Sequence, residues 1–228
     1  MKYLKKLPIF TAVLFSVVST LSAAEIYNGT FDNLEGTFVA NDAVGLMELP
    51  SGSTAIPGWK VISETGEPAA ISWVDPSYPY VTPPPGSSFT LDLTDYYDGH
   101  PYGGITQDVA TEIGVQYRLV FYIGALRAIS GDYVQLDVSA GSELETITYT
   151  PSTSGLSWRE FTFDFTAAST LTPISFVGKT SAYEGGTHDY YIGLADVRID
   201  VVPEPATYAL LIGAGFLILF SKRRSRVA

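Results

Sequence analysis

From residue 25 to residue 201 apolar residues recur at every second position in short runs, and no stretch carries the 3.6-residue period of an amphipathic helix. Phe161, Phe163 and Phe165 alternate with Thr162, Asp164 and Thr166, which predicts a strand with one buried face. Val134, Leu136 and Val138 alternate in the same way with Gln135, Asp137 and Ser139. Gln116 to Ala125 is apolar on both faces, as expected of a strand in the middle of a sandwich. Phe89 to Leu93 and Ile105 to Val109 predict two more strands. The last run, Asp189 to Val201, changes parity between Leu194 and Val197, which predicts a bulge near Gly193 to Ala195. Gly, Pro, Asp and Ser punctuate the runs, giving roughly nine to eleven strands with turns about every 8–12 residues. The pattern is that of an all-β, two-sheet sandwich.

The ends depart from this pattern. Met1 to Ala24 has Lys2, Lys5 and Lys6, an apolar core from Ile9 to Val18, and Ser22-Ala23-Ala24 for cleavage, so it reads as a signal peptide. At the other end come Val202, Pro203, Glu204 and Pro205, then an uncharged apolar run from Ala206 to Phe220. Pro203 and Pro205 cannot extend a sheet ladder, and Pro205 suits the first turn of a helix. The run predicts a single transmembrane helix over 206–220, followed by a basic tail over 221–228. At about 1.5 Å per residue the helix covers roughly 23 Å of a hydrocarbon core of about 30 Å. Such a short span fits a transient hold. Lys222, Arg223, Arg224 and Arg226 form the basic stop, which keeps that end cytoplasmic and turns the domain outward.

Removing the two ends changes the charge. Seven of the 13 Lys and Arg lie before position 25 or after position 221, whereas all 24 Asp and Glu lie between. Residues 25–221 therefore carry 24 acids against six bases, a net charge of −18. That balance excludes nucleic acid as a partner, because such binding rests on Lys and Arg at phosphates. It permits divalent cations and neutral or amino-bearing glycans. The chain has no cysteine, so stability must come from the core of the domain at 25–201.

Pro-Glu-Pro, a short apolar segment and a terminal Arg-rich cluster, in that order over 202–228, resemble the PEP-CTERM sorting signal of Gram-negative bacteria. The resemblance implies export through the inner membrane, with only a transient stay there. It also implies an exosortase-type membrane protease as partner, cleavage near the Pro-Glu-Pro, and delivery to the cell surface or extracellular matrix alongside exopolysaccharide. It says nothing of what the domain does. A second resemblance rests on landmarks in order: Asn28-Gly29-Thr30-Phe31-Asp32, Ile56-Pro57-Gly58-Trp59, Gly103-Gly104-Ile105-Thr106-Gln107, Gly114 with Tyr117, Trp158 before the Phe strand, and Tyr191 to Ile199 at the close. Their order is similar to galactose-binding-like jelly rolls, above all carbohydrate-binding modules and an uncharacterised family of plant cell-wall and bacterial surface proteins. The plant relatives have cysteines that this chain lacks, and the paired acids usual before the final Val are reduced to Ala195-Asp196.

Two candidate sites follow. In the resembled modules an acid ending the first strand and an acid of the last strand meet beside a structural calcium, and those positions correspond to Asp32 and Asp196. Backbone carbonyls would complete the shell, since calcium takes about six to eight oxygens; otherwise Asp32 caps a turn and Asp196 faces water at the bulge. The second site is Tyr78, Tyr80, Tyr96, Tyr97 and Tyr102 around Pro83-Pro84-Pro85 and Asp92, Asp95 and Asp98, with Tyr183, His188 and Tyr190 from a second loop. Tyrosine rings on a proline-stiffened loop suit stacking on sugars, with acids and amides meeting the hydroxyls. Tyrosine is also frequent in sandwich strands, and Asp with Gly is turn chemistry. Asn28-Gly29-Thr30 fits a glycosylation acceptor and is read as the start of the first strand.

The expected function is non-catalytic binding of an extracellular polysaccharide, with a structural matrix role as the alternative. An enzyme comes third. His100 and His188 have no nucleophile motif beside them, and the chain has neither a Gly-x-Ser-x-Gly elbow nor a His-Glu-x-x-His pair. Glycoside hydrolysis would need only two carboxylates at a set distance.

Overall fold

The computed structural model describes residues 24–35, 37–40, 45–66, 69–94, 102–127, 133–152, 155–181 and 191–203. Among them run eleven strands and no helix. A six-stranded sheet contains β1 (Leu46–Pro50), β3 (Ala70–Val74), β4 (Thr90–Asp92), β11 (Ile192–Val201), β6 (Gln116–Arg127) and β9 (Gly155–Thr166), in that spatial order. A five-stranded sheet contains β2 (Lys60–Ser63), β5 (Gly103–Ala110), β10 (Leu171–Ser181), β7 (Val134–Ala140) and β8 (Glu143–Tyr149). Every pairing is antiparallel.

The alternation of the sequence is the alternation of burial. Phe163 and Phe165 are buried and Phe161 half-buried, opposite Leu119, Tyr117 and Phe121 of β6. Phe121 meets Phe176 of β10 edge to face at 5.0 Å, and that contact joins the two sheets. Each such aromatic removed from water stabilises the fold by about 2–3 kcal/mol. Trp73, Tyr117, Phe31, Phe165 and Phe176 complete the centre.

Three features differ from the expected strands. The irregularity in β11 lies between Ala195 and Arg198, later than Gly193 to Ala195, with Asp196 at φ 49. The Phe strand begins at Gly155, so Trp158 stands inside it. Asn28 to Asp32 is not a strand. Residues 27–30 form a turn, with Asn28 at φ 53 and Phe31 at φ 59, and the first strand begins at Leu46.

The conformation of that N-terminal turn is imposed from outside. The indole of Trp59 donates to the Asn28 carbonyl at 3.0 Å, and the indole of Trp73 donates to the Phe31 carbonyl at 3.0 Å. Between them the Val197 amide donates to the Gly29 carbonyl at 2.9 Å. Gln107 of β5 serves the same segment: its Oε1 accepts from the Tyr27 amide at 2.8 Å, and its Nε2 donates to the Tyr27 and Gly58 carbonyls. Buried backbone groups need partners. Here side chains of the core supply them where no ladder runs.

The two ends of the sandwich differ. One end holds the β5–β6 turn (111–115) and the β9–β10 turn (167–170), joined by Thr111 N donating to Thr170 O and Gly114 N donating to Ala167 O. The chain also leaves from this end, where the Val202 amide donates to the Gln116 carbonyl at 2.9 Å. At the opposite end are the stems of the segments 95–101 and 182–190, held together by Leu93 N donating to Ile192 O and Gly103 N to Leu93 O.

Candidate functional site

Residues 75–89, between β3 and β4, fold over the outward face of the six-stranded sheet. They cover a second apolar cluster of Leu46, Val74, Val81 and Tyr191, with Tyr78, Leu156 and Trp158 packed on it. The sheet is shaped for this. Gly193 and Gly124 face each other in register, and Trp158 is the next residue in that row. A Cβ on either glycine would come within 2.6–2.9 Å of the Trp158 ring, so the indole lies flat across two strands that offer no side chain. Its Nε1 donates to the Thr82 carbonyl at 2.8 Å and thereby fixes the crossing loop.

On this base Tyr78 is half-buried and meets Tyr80 edge to face at 5.4 Å. Tyr80 is 76% exposed. An exposed ring braced by a second ring keeps its orientation, so little conformational freedom is lost when a ligand stacks on it. Beneath, Tyr191 packs against Trp158 at 5.9 Å and its hydroxyl approaches Thr90 Oγ1 at 3.4 Å. Burial pushes the Tyr191 phenol well above the usual 10.0, and the charge of Asp92 adds to the rise. A raised pKa means that the unfolded phenol loses its proton first. The contribution of this group is thus complete below pH 10 and is lost as pH rises above it. Urea midpoints taken from neutral pH to beyond pH 10 should fall at the alkaline end, and more steeply than those of Tyr191→Phe.

Of the tyrosines singled out in the sequence, Tyr78 and Tyr80 are brought together. Tyr102 is not among them. It is 4% exposed within the main core, so its ring offers no face to a ligand, and the expectation for it is corrected. Strand parity does not explain this, since Thr106 and Asp108 on the same parity turn outward; the room comes from Gly178 of β10, where a Cβ would stand 3.0 Å from the Tyr102 Cβ and close to Leu93 and Ile192. Tyr96, Tyr97, Tyr183, His100 and His188 lie outside the described residues. Asp92 accepts from the amide and hydroxyl of Thr94 at 3.1 and 2.8 Å, which is turn chemistry.

Asp32 and Asp196 flank the junction of the N-terminal turn with the β11 bulge. The Asp32 carboxylate accepts from the Thr30 hydroxyl at 2.6 Å. Asp196 pairs with Arg198 at 3.5 Å, and Arg198 also reaches Glu160 at 2.9 Å. The nearby carbonyls of Asn28, Gly29 and Phe31 each accept a hydrogen bond from Trp59, Val197 or Trp73. Each of these carbonyls keeps a second lone pair beyond the hydrogen bond it accepts.

The sequence did not point to an open groove of about 440 Å³ between the 54–59 segment and β5. Thr54, Lys60, Thr106, Gln107 and Asp108 line it, beside Gly58 and Trp59. Trp59 is 2% exposed, so the groove has no ring face, and Asp108 is its single carboxylate. Only the register of β2 on β5, which sets Lys60 opposite Thr106, brings these residues together.

Val202 and Pro203 are the last described residues of the sorting stretch. Glu204, Pro205, the apolar run 206–220, Lys222, Arg223, Arg224 and Arg226 lie outside them, as does the leader to position 23. Residues 201–225 match the PEP-CTERM protein-sorting motif. A motif of this kind implies export, attachment at the cell surface and processing by an exosortase.

Comparison with solved structures gives likenesses of the β-sandwich. The K1 cleaved adhesin domain of Lys-gingipain from Porphyromonas gingivalis W83 has 17% identity and a TM-score of 0.45, covering 69% of this chain and 99% of that one. A family 35 carbohydrate-binding module from Clostridium thermocellum has 10% identity and a TM-score of 0.40, covering 68% and 99%. An isomalto-dextranase of Arthrobacter globiformis, complexed with panose, has 15% identity and a TM-score of 0.41. The match covers 69% of this chain but 24% of that enzyme. At these scores the likenesses carry no argument about ligand or activity. No curated protein matches the chain.

Proposed function

We propose that this chain is an exported module that binds carbohydrate without catalysis and is delivered to the cell surface or matrix through its C-terminal signal. The observation that carries the binding half is Tyr80, braced on Tyr78 and exposed above the Trp158 platform. A pyranose ring would stack its axial hydrogens on that face, and its hydroxyls would meet carbonyls of the 75–89 loop. The sandwich is read as a jelly roll, supported by the way the chain switches sheets at nearly every connection from β4 onward. Polysaccharide exported by the same cell is the proposed ligand, and an exosortase and the inner membrane are the proposed partners of the tail.

The test is titration calorimetry of residues 24–203 against a panel of neutral, acidic and amino-bearing polysaccharides. Saturable binding to a few of them is expected. Tyr80→Ala should weaken it roughly tenfold, the loss of one stacking contact, with the melting temperature unchanged. Equal affinity of the variant would remove the aromatic ledge from the proposal.

A structural matrix role has its own observation, the outward face of the five-stranded sheet. There Ser175 donates to Thr106 at 2.8 Å, Gln135 to Thr148 at 3.0 Å, and Lys179 pairs with Asp137 at 3.4 Å. Such a self-satisfied polar field suits packing between proteins, and absence of binding to the whole panel would favour this reading. Hydrolysis is not proposed, since it needs two carboxylates about 5–10 Å apart and the groove holds Asp108 alone.

Calcium at Asp32 and Asp196 would have to share the Asp196 carboxylate with Arg198, which stands 3.5 Å from its Oδ2. We propose instead that the tryptophan-bonded turn closes the domain without an ion. Chelator should leave the melting temperature of the purified domain unmoved; a fall of several degrees would restore calcium to that junction.

A further inference from the structure

We infer that the end of the sandwich formed by the β5–β6 and β9–β10 turns rests on the bilayer, with Ile113 and Leu171 as its lipid-contacting tips. The inference rests on the reading of 206–220 as a membrane segment. It adds an orientation and a contact surface.

The length of chain between fold and membrane carries it. Val202 is held in the sheet by its amide bond to Gln116, and the apolar run begins at Ala206. Pro203, Glu204 and Pro205 alone intervene. Fully extended, the four steps from Val202 to Ala206 span at most about 14 Å. So short a tether cannot let the domain turn over. While the tail is membrane-bound, whatever surrounds the exit point of β11 is pressed against the headgroups.

What surrounds it is the β5–β6 and β9–β10 turns, with the β7–β8 turn beside them, where Gly141 N donates to Pro173 O and Glu143 accepts from the Thr166 amide. Ile113 stands three residues before Gln116, in the turn that ends where Val202 is bonded. Leu171 opens β10 directly after the neighbouring turn and pairs in register with Ala110. The turns are joined by the Thr111–Thr170 and Gly114–Ala167 backbone bonds, so the two tips belong to one rigid end. Ile113 is 66% exposed and Leu171 56%. Single exposed apolar residues are ordinary on protein surfaces. One of them on a turn and the other at the first strand position after the adjoining turn, both beside the strand that leads to the membrane, have a position that water alone does not explain. The apolar face of an interfacial helix reaches roughly 5–10 Å into the headgroup boundary, and the two side chains would enter the outer part of that layer. The opposite end, with the stems of segments 95–101 and 182–190, then faces away from the membrane.

The full chain, which has no cysteine of its own, permits a direct test. Single-cysteine variants Ile113→Cys, Leu171→Cys and Ser152→Cys carry an environment-sensitive fluorophore; Ser152 follows Tyr149, which pairs with Val134 and so lies with Ser181 at the far end of β10. The labelled chains are reconstituted in vesicles of phosphatidylethanolamine and phosphatidylglycerol containing a lipid-borne nitroxide quencher. Labels at 113 and 171 should lose about half their emission and shift to the blue, while the label at 152 keeps the spectrum it has in water. Flotation with the vesicles is read in parallel. A chain that floats, with all three labels unquenched or with 152 quenched like the others, overturns the orientation and leaves the membrane segment standing. A chain that does not float overturns both.

Discussion

Alanine at position 29 should cost this domain about 3 kcal/mol, a large fraction of the stability of a single sandwich. The side chain is the smallest addition possible, yet its Cβ would fall inside the van der Waals shell of the Val197 carbonyl oxygen. That neighbour is backbone in the middle of β11, with no rotamer to change, so the N-terminal turn has to move. Moving it stretches the Val197–Gly29 bond and pulls the Asn28 and Phe31 carbonyls from the indoles of Trp59 and Trp73. A buried carbonyl left without its donor adds about 1–3 kcal/mol. The urea midpoint of residues 24–203 measures the loss, with Gly86→Ala as reference. Gly86 has φ +90 and open space around it, so alanine there meets only backbone strain of about 1 kcal/mol. Equal losses at the two positions would mean that the turn does not approach β11 so closely.

Trp158→Ala should have the second largest effect, about 2–4 kcal/mol, and should also abolish the ledge. The indole fills the slot over Gly124 and Gly193, packs on Tyr191 and donates to Thr82. Its removal leaves two glycines and an apolar cluster without cover, and frees the loop that carries Tyr78 and Tyr80. Trp158→Phe keeps most of the ring contact and loses the N–H, so its loss should be nearer 1 kcal/mol. Limited proteolysis separates the two consequences. Cleavage within 75–89 should rise sharply in Trp158→Ala and slightly in Trp158→Phe. A loop equally resistant in all three proteins would show that Trp158 does not hold it.

The two predictions come from parts of the chain with very different legibility. Glycine at position 29 sits in a motif, Asn28-Gly29-Thr30, that in sequence reads as the beginning of a strand. Nothing local reveals that residues in the left-handed region, Asn28 and Phe31, flank it in space, since the donors that hold them come from positions 59, 73 and 197. Trp158 was visible as a landmark, but its platform was not. Gly124 and Gly193 are 69 residues apart, and only the antiparallel register of β6 with β11 sets them side by side under one ring. Tyr102 shows the converse. It belongs by composition to a tyrosine-rich loop, and by its place beside Gly178, on a strand distant in sequence, to the core.

By itself the sequence determined the fold class, because alternation of apolar and polar residues specifies which face of each strand leaves water, and that choice is local. It determined equally the sorting tail, whose prolines, apolar run and cations act through their order along the chain. The tertiary structure alone decided which tyrosine is presented and which is buried. It decided that indoles hold the N-terminal turn beside Asp32 and Asp196, and that the chain leaves the sheet next to Ile113. Each of these depends on the register between strands distant in sequence. A shift of one residue in register would exchange the buried and exposed faces of a strand without altering its composition.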